Sequence, residues 1–252
     1  MSVLIETSLG DIVIDLYTSK CPFASENFLK LCKLKYYNNC LFYSVERDYL
    51  AQTGDPTNTG SGGTSVWGVL EGDKAKFFKD ESLSKNDQGR KGLVGMASRG
   101  PNMNASGFFI TLGETDEKML RSHTIFGQIA EGMDVLDKLN KAYVDLKSRP
   151  VQNIRIKHTI IIDDPYKDPP GLREPSRSPT PTNKTKADDY LEDDIDIEAV
   201  AASKTDQQLQ EEIKDHQTKT RAAVLEILED LPDADVEPPD NVLFVCKMNP
   251  VT

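Results

Sequence analysis

Val3-Leu4-Ile5-Glu6-Thr7-Ser8-Leu9-Gly10-Asp11-Ile12-Val13-Ile14-Asp15-Leu16 opens the chain with two β-branched runs around a short Ser-Leu-Gly turn. Apolar residues alternate with polar ones on both sides of the turn, which predicts a β-hairpin with one buried face. Pro22 then suits the first position of a helix, and Phe28, Leu31, Cys32 and Tyr36 recur at helical spacing, predicting a core-facing stripe. Beyond it, short strands are expected at 41–47, 49–52, 92–97, 108–111 and 124–129, separated by Gly-rich turns. A second helix is expected at 133–143, with Val135, Leu136, Leu139 and Tyr143 on one face, and a last strand at 155–162. Many short strands with two helices suggest a mainly β domain, a closed antiparallel barrel capped by those helices. Closure removes the free sheet edges.

The charge pattern divides the 252 residues. Up to Pro165 there are 20 Lys and Arg against 21 Asp and Glu; beyond it there are 10 against 20. The acidity therefore belongs to the C-terminal third. It is unsuited to phosphate backbones, so these residues are not expected to bind nucleic acid by bulk charge. Pro165, Pro169, Pro170, Pro175, Pro179 and Pro181 crowd a stretch that can form neither sheet nor helix. The organisation expected is a barrel domain at 1–165, a Pro-rich and acidic linker at 166–204, a charged helix at 205–231 and a further strand at 241–252. The helix carries a narrow stripe of Leu209, Ile213, Val224 and Leu228; such stripes dock on a neighbour or stay marginal, and no function is assigned to it. Cys21, Cys32, Cys40 and Cys246 have no metal-ligand or disulfide spacing, and no run is long and apolar enough to span a bilayer. Free thiols and a start that leads directly into a strand point to a cytosolic or nuclear protein, and neither a metal site nor a membrane partner is expected.

Five segments carry the chemistry: Gln52-Thr53-Gly54-Asp55-Pro56, Gly60-Ser61-Gly62-Gly63, Met96-Ala97-Ser98-Arg99-Gly100-Pro101-Asn102, Ser106-Gly107-Phe108-Phe109-Ile110 and His123-Thr124-Ile125-Phe126-Gly127. In this order the chain resembles the cyclophilins, peptidyl-prolyl cis-trans isomerases (rotamases) built on a closed eight-stranded antiparallel barrel with two capping helices. The resemblance covers about 1–164. It implies a proline pocket of Tyr49, Leu50, Phe109 and Leu120, with His123 at its rim. Gln52 would bond the peptide backbone, Ala97 and Ser98 would align the substrate, and Gly60 would line the adjoining groove. No cofactor is implied, and proline-containing protein segments are the partners. Arg99 has two readings: it shapes peptide choice, or it is a solvated residue at a strand end.

The resemblance fails at the family's catalytic Arg, which follows a Phe-His pair. Here the stretch is Phe42-Tyr43-Ser44, so Tyr43 and Ser44 occupy two substituted catalytic positions. Gly107 replaces a Gln that would steady the Arg, and Met119 replaces an aromatic before Leu120. Loss of one aimed donor typically costs ~10²–10³ in rate, so weak isomerisation is expected, or a binding module without catalysis.

Asn241-Val242-Leu243-Phe244-Val245-Cys246-Lys247-Met248-Asn249-Pro250 resembles the first strand of an RNA-recognition motif, with Phe244 where such domains stack a base. The pairing resembles nuclear cyclophilins that carry an RNA-recognition domain, and Leu231-Pro232-Asp233-Ala234-Asp235 fits that subgroup. It implies a nuclear monomer acting near RNA processing or transcription. The motif is expected to be truncated, so that RNA binding requires the full second domain. A third reading accordingly puts the main activity in RNA binding, with the barrel as a tether. Ser178-Pro179 and Thr180-Pro181 are candidate phosphorylation sites.

Overall fold

The computed structural model describes residues 1–81 and 89–179. The expected hairpin is β1 (Ser2–Thr7) and β2 (Gly10–Leu16). Val3 faces Ile14 and Ile5 faces Ile12 across it, and all four are buried, as period-2 alternation requires. The other strands are β3 (Ser44–Glu46), β4 (Leu50–Thr53), β5 (Leu93–Met96), β6 (Phe108–Thr111), β7 (Ile125–Glu131) and β8 (Ile156–Ile161). Together they form one antiparallel eight-stranded sheet in the order β3-β4-β6-β5-β7-β2-β1-β8. Its two ends meet. Leu41, just before β3, bridges Arg155, just before β8. Phe42 N donates to Ile154 O at 2.9 Å, and Ile156 N donates to Cys40 O at 2.9 Å. The barrel is therefore closed, and the expected strand at 41–47 is divided between this seam and the short β3.

Helix α1 (Pro22–Lys33) begins at proline, whose missing N–H costs nothing in the first turn. It packs on β7 and β8. Phe28 lies at its centre, with ring centroids of Tyr37, Phe108 and Phe126 at 5.3, 5.3 and 5.2 Å. Two short helices, α2 (Val66–Glu71) and α3 (Glu117–Ser122), add to the two that were expected. Helix α4 (Met133–Asn140) buries Val135, Leu136 and Leu139. It stops three residues earlier than the periodicity suggests, and Tyr143 is 86% exposed. The chain instead turns at Asp145, whose carboxylate accepts from Lys147 N and Arg149 N, both at 2.8 Å.

Strands β5 and β6 are buried along their whole length, which explains their mostly apolar sequences. Ala51, Val94, Met96, Phe108, Ile110 and Phe126 enter the main core. Their neighbours Leu50, Leu93, Phe109 and Ile125, with Leu120, form a second apolar cluster on the opposite face. This second cluster positions the candidate site.

After β8 the chain does not leave the barrel at once. The Lys30 side chain is fully buried, and its ammonium donates to Asp164 Oδ2 at 2.8 Å, Tyr166 O at 2.7 Å and Asp168 Oδ1 at 2.8 Å. Asn38 Nδ2 donates to Ser178 Oγ at 2.9 Å and Asn39 Nδ2 to Pro179 O at 2.8 Å. The first part of the expected linker is thus a strap over α1, without helix or strand. Cys21, Cys32 and Cys40 are buried thiols. The rest of the linker, the charged helix at 205–231 and the strand at 241–252, with Cys246 and Phe244, lie outside the described residues. Among the described residues, no helix is long and apolar enough to cross a membrane, and no three His, Cys, Asp or Glu are grouped to hold a metal ion.

Candidate active site

The site begins with strand register. Ser44 faces Gln52 across β3 and β4, Gln52 faces Phe109 across β4 and β6, and Phe109 faces Gly95 across β6 and β5. Directly opposed residues share a face, so Ser44, Gln52 and Phe109 stand in one row. Leu50, two residues from Gln52, adds to the same face. Tyr49, Ala97 and Met119 pack on the cluster of Leu50, Phe109 and Leu120 from its margin. The four residues expected to make the pocket are therefore together. Tyr49 and Phe109, far apart in sequence, belong to one apolar patch.

Phe109 owes its position to a residue that sequence reasoning missed. A Cβ at Gly95 would lie 2.4 Å from Phe109 Cζ and 2.7 Å from Ile125 Cδ1. Only glycine lets the ring lie over β5. A Gly inside the apolar run Leu93-Val94-Gly95-Met96 is the signal that could have revealed this close approach. Leu93 and Ile125, which complete the cluster, also went unrecognised because they read as ordinary core.

His123 stands at the rim. Its ring meets Phe109 edge-on, with centroids 5.5 Å apart and planes at 88°. His123 Nδ1 lies 3.0 Å from Met119 O and 2.9 Å from Ser122 Oγ. A carbonyl only accepts, so in the contact with Met119 O it is Nδ1 that donates. Phe109 is only 2% exposed. Tyr49, Met119 and His123 beside it are half-buried.

Two loops border the polar side. Asp55 is buried, and its carboxylate accepts from Thr57 N and Gly62 N, both at 2.8 Å. This folds the Gly-rich loop back on itself. Arg99 Nη2 donates to Gly62 O at 2.5 Å and so bridges this loop to the one after β5. Ser98 Oγ donates to Gly100 O, turning within its own loop. Gly60 (φ +73°) lies against Tyr43, where a Cβ would be 2.9 Å from Tyr43 Cε2. Burial, with the Asp55 charge as the next cause, raises the Tyr43 phenol well above its ordinary pKa, so it remains a neutral O–H donor through physiological pH. The side chains of Tyr43, Ser44 and Gln52 have no hydrogen-bond partner among the described residues. No Arg stands at position 44, and Arg47 is exposed beyond the end of β3.

Comparison with known proteins places the fold in a family. Residues 2–161 match the family model described as cyclophilin type peptidyl-prolyl cis-trans isomerase/CLD. The full chain is 54% identical over 259 residues to the peptidyl-prolyl cis-trans isomerase CYP59 of Arabidopsis thaliana, covering 50% of that protein. It is 49% identical over 253 residues to the human peptidyl-prolyl cis-trans isomerase-like 4, covering 51% of it. The chain thus spans about half the length of these curated relatives. Among solved structures, it is similar to a Cryptosporidium parvum cyclophilin type peptidyl-prolyl cis-trans isomerase crystallised in the presence of the dipeptide Ala-Pro. That match has a TM-score of 0.59 and 34% identity, over 65% of this chain and 100% of the other. The chain belongs to the cyclophilin-type peptidyl-prolyl cis-trans isomerase family.

Proposed function

We propose that the barrel holds Xaa-Pro segments of proteins on the Phe109 face and isomerises them slowly. The observation that carries this reading is the juxtaposition on one sheet face of an apolar patch and polar side chains with no internal partner. The pyrrolidine ring enters between Tyr49, Met119 and His123 to meet Leu50, Phe109 and Leu120. Gln52 bonds the peptide backbone, while Ala97 and Ser98 border its path and Gly60 lines the adjoining groove. The solved relative crystallised in the presence of Ala-Pro supports a proline-containing guest.

Rotation about the prolyl amide opposes a barrier of roughly 20 kcal/mol set by its partial double bond. No covalent intermediate is required. The protein accelerates rotation by holding the ring in an apolar seat and favouring the twisted amide over the planar one. A cation aimed at the prolyl nitrogen would add most to this, and Ser44 is too short and neutral to do so. Exchange spectroscopy on an Ala-Pro peptide tests the reading: cross-peaks between cis and trans forms faster than the uncatalysed background support it. Measurable binding with exchange at background supports instead a binding module without catalysis, the alternative that the substitutions at Ser44 and Gly107 leave open.

The chain's length relative to its relatives and the resemblance of 241–250 to a first RNA-recognition strand support a larger proposal. The whole protein is a nuclear monomer that folds or remodels proline-rich clients near RNA processing or transcription, with RNA bound through Phe244 and the remainder of its second domain. Single-stranded RNA should bind the full-length protein and not the 252 residues alone. RNA binding equal in both would overturn this proposal.

A further inference from the structure

Tyr43 replaces the family's His and enters the barrel just before β3, with its N–H donated to Gln52 O at 3.1 Å. Two glycines bracket its side chain. The ring lies against Gly60, where no Cβ could fit without displacement. The hydroxyl lies 3.8 Å from the point where a Cβ of Gly107 would be, and that point is 3.6 Å from the Ala97 Cβ. The phenol oxygen thus borders the space left empty by the missing side chain at 107. It is a protonated donor with no partner among the described residues. Leaving such a group unpaired is unfavourable when solvent is displaced, so a guest that covers it must supply an acceptor.

The most direct acceptor is a main-chain carbonyl of the bound peptide. Gly107 immediately precedes β6, two residues and at most roughly 7 Å from Phe109. For a peptide whose chain runs from the Gly107 side toward Phe109, a proline seated on Phe109 places the residue before it, about 3.8 Å back along the peptide, on the Gly107 side. Resting on the proline-binding reading above, we infer that Tyr43 is a substrate-binding residue whose hydroxyl donates to the main-chain carbonyl preceding proline. Gly107 keeps that approach open. The loss of the family's Gln at 107 and the presence of Tyr43 are then one change: the bulk removed from one position admits a donor from the other.

The test is a titration of the 252-residue chain, followed by amide chemical shifts, with Ala-Ala-Pro-Phe and with its analogue bearing a thioamide at the carbonyl before proline. Sulfur accepts a hydrogen bond poorly. Tyr43→Phe removes only the hydroxyl and should raise Kd for the ordinary peptide roughly 3–10-fold, the effect of one net hydrogen bond. The wild-type chain should bind the thioamide peptide more weakly by a similar factor, whereas Tyr43→Phe should bind both peptides alike. Gly107→Gln, whose first atoms meet only ordinary contacts, should reproduce the Tyr43→Phe affinity. Tyr43→Phe binding the ordinary peptide as tightly as wild type would overturn the inference while leaving the proline-binding reading intact. Equal weakening on both peptides would overturn it too, by placing the hydroxyl's role elsewhere. Absence of wild-type binding would overturn both.

Discussion

Lys30 and Tyr43 stand in two regions of the same barrel and use their polar atoms in opposite ways. All three ammonium hydrogens of Lys30 have acceptors on the strap, from Asp164, Tyr166 and Asp168. Lys33 adds a second cation to Asp168 at 2.6 Å. The half-buried side chains of Tyr43, Ser44 and Gln52 have no hydrogen-bond partner among the described residues. A folded chain satisfies buried polar groups wherever it can. The polar atoms of the Lys30 region are therefore satisfied within the chain, whereas the half-buried polar groups near Tyr43 stay open to solvent and, on the proposed reading, to a guest. The same contrast separates stability from function: variants at Lys30 should affect folding alone, and variants near Tyr43 should affect binding and turnover alone.

The largest effect is expected from restoring a cation to the site. Ser44→Arg should raise the exchange rate on an Ala-Pro peptide by roughly 10²-fold if the missing donor is what limits catalysis. An unchanged rate would show that the seat itself is misaligned. On the opposite side, Lys30→Met leaves Asp164 and Asp168 without their buried partner and should cost on the order of 2 kcal/mol in urea denaturation, with peptide affinity unchanged. A shift in both would break the separation of the two regions.

The strap's pH response follows from the same contacts. Burial alone would lower the Lys30 pKa, but its bonds to Asp164 and Asp168 more than offset this and leave it raised. Lys30 and then Lys33 lower that of Asp168. The raised Lys30 contributes stability that is fully present below the ordinary lysine pKa and lost as pH rises through its folded value. The lowered Asp168 contributes stability that is present above the ordinary carboxylate pKa and lost as pH falls through its folded value. The protection factors of amides at 164–179, which divide out the intrinsic base catalysis of exchange, should therefore be flat through neutral pH and fall at both extremes. A fall in protection near neutrality would contradict this.

Smaller effects sharpen the site itself. Gly95→Ala puts a methyl into the Phe109 ring and should weaken peptide binding by about 10-fold through displacement of that ring, comparable to the cost of a forced core shift. Arg99→Ala should change affinity by only about 3-fold, the scale of an exposed charge. That change should differ between peptides with and without an acidic residue before Ala-Pro. A uniform response would reduce Arg99 to a clasp between two loops.

Much of this was legible in the residues. The 3–16 hairpin follows from alternation, and the row of Ser44, Gln52 and Phe109 follows once the strands are paired. The pocket was legible only through resemblance, because Tyr49, Leu50, Phe109 and Leu120 read individually as core. Phe109 and Leu50 are indeed buried, as core residues would be. The strap was not legible: a Pro-rich run excludes helix and sheet, but it does not exclude packing, and nothing local marks Lys30 as a buried cation with distant acids. Tyr143 was misplaced because helical spacing continued past Asn140, while Asp145 offered the backbone a turn instead. The role of Gly95 depended on a contact between strands that sequence distance conceals.

The central claim is that the Phe109 face receives an Xaa-Pro segment. Titrating the isotope-labelled chain with Ala-Ala-Pro-Phe tests it most directly. Saturable shifts should appear at Gln52, Ala97, Phe109, Leu120 and His123, with Lys30, Asp164 and Asp168 unmoved. Saturation without shifts in the first group, or no saturation at millimolar peptide, would contradict it.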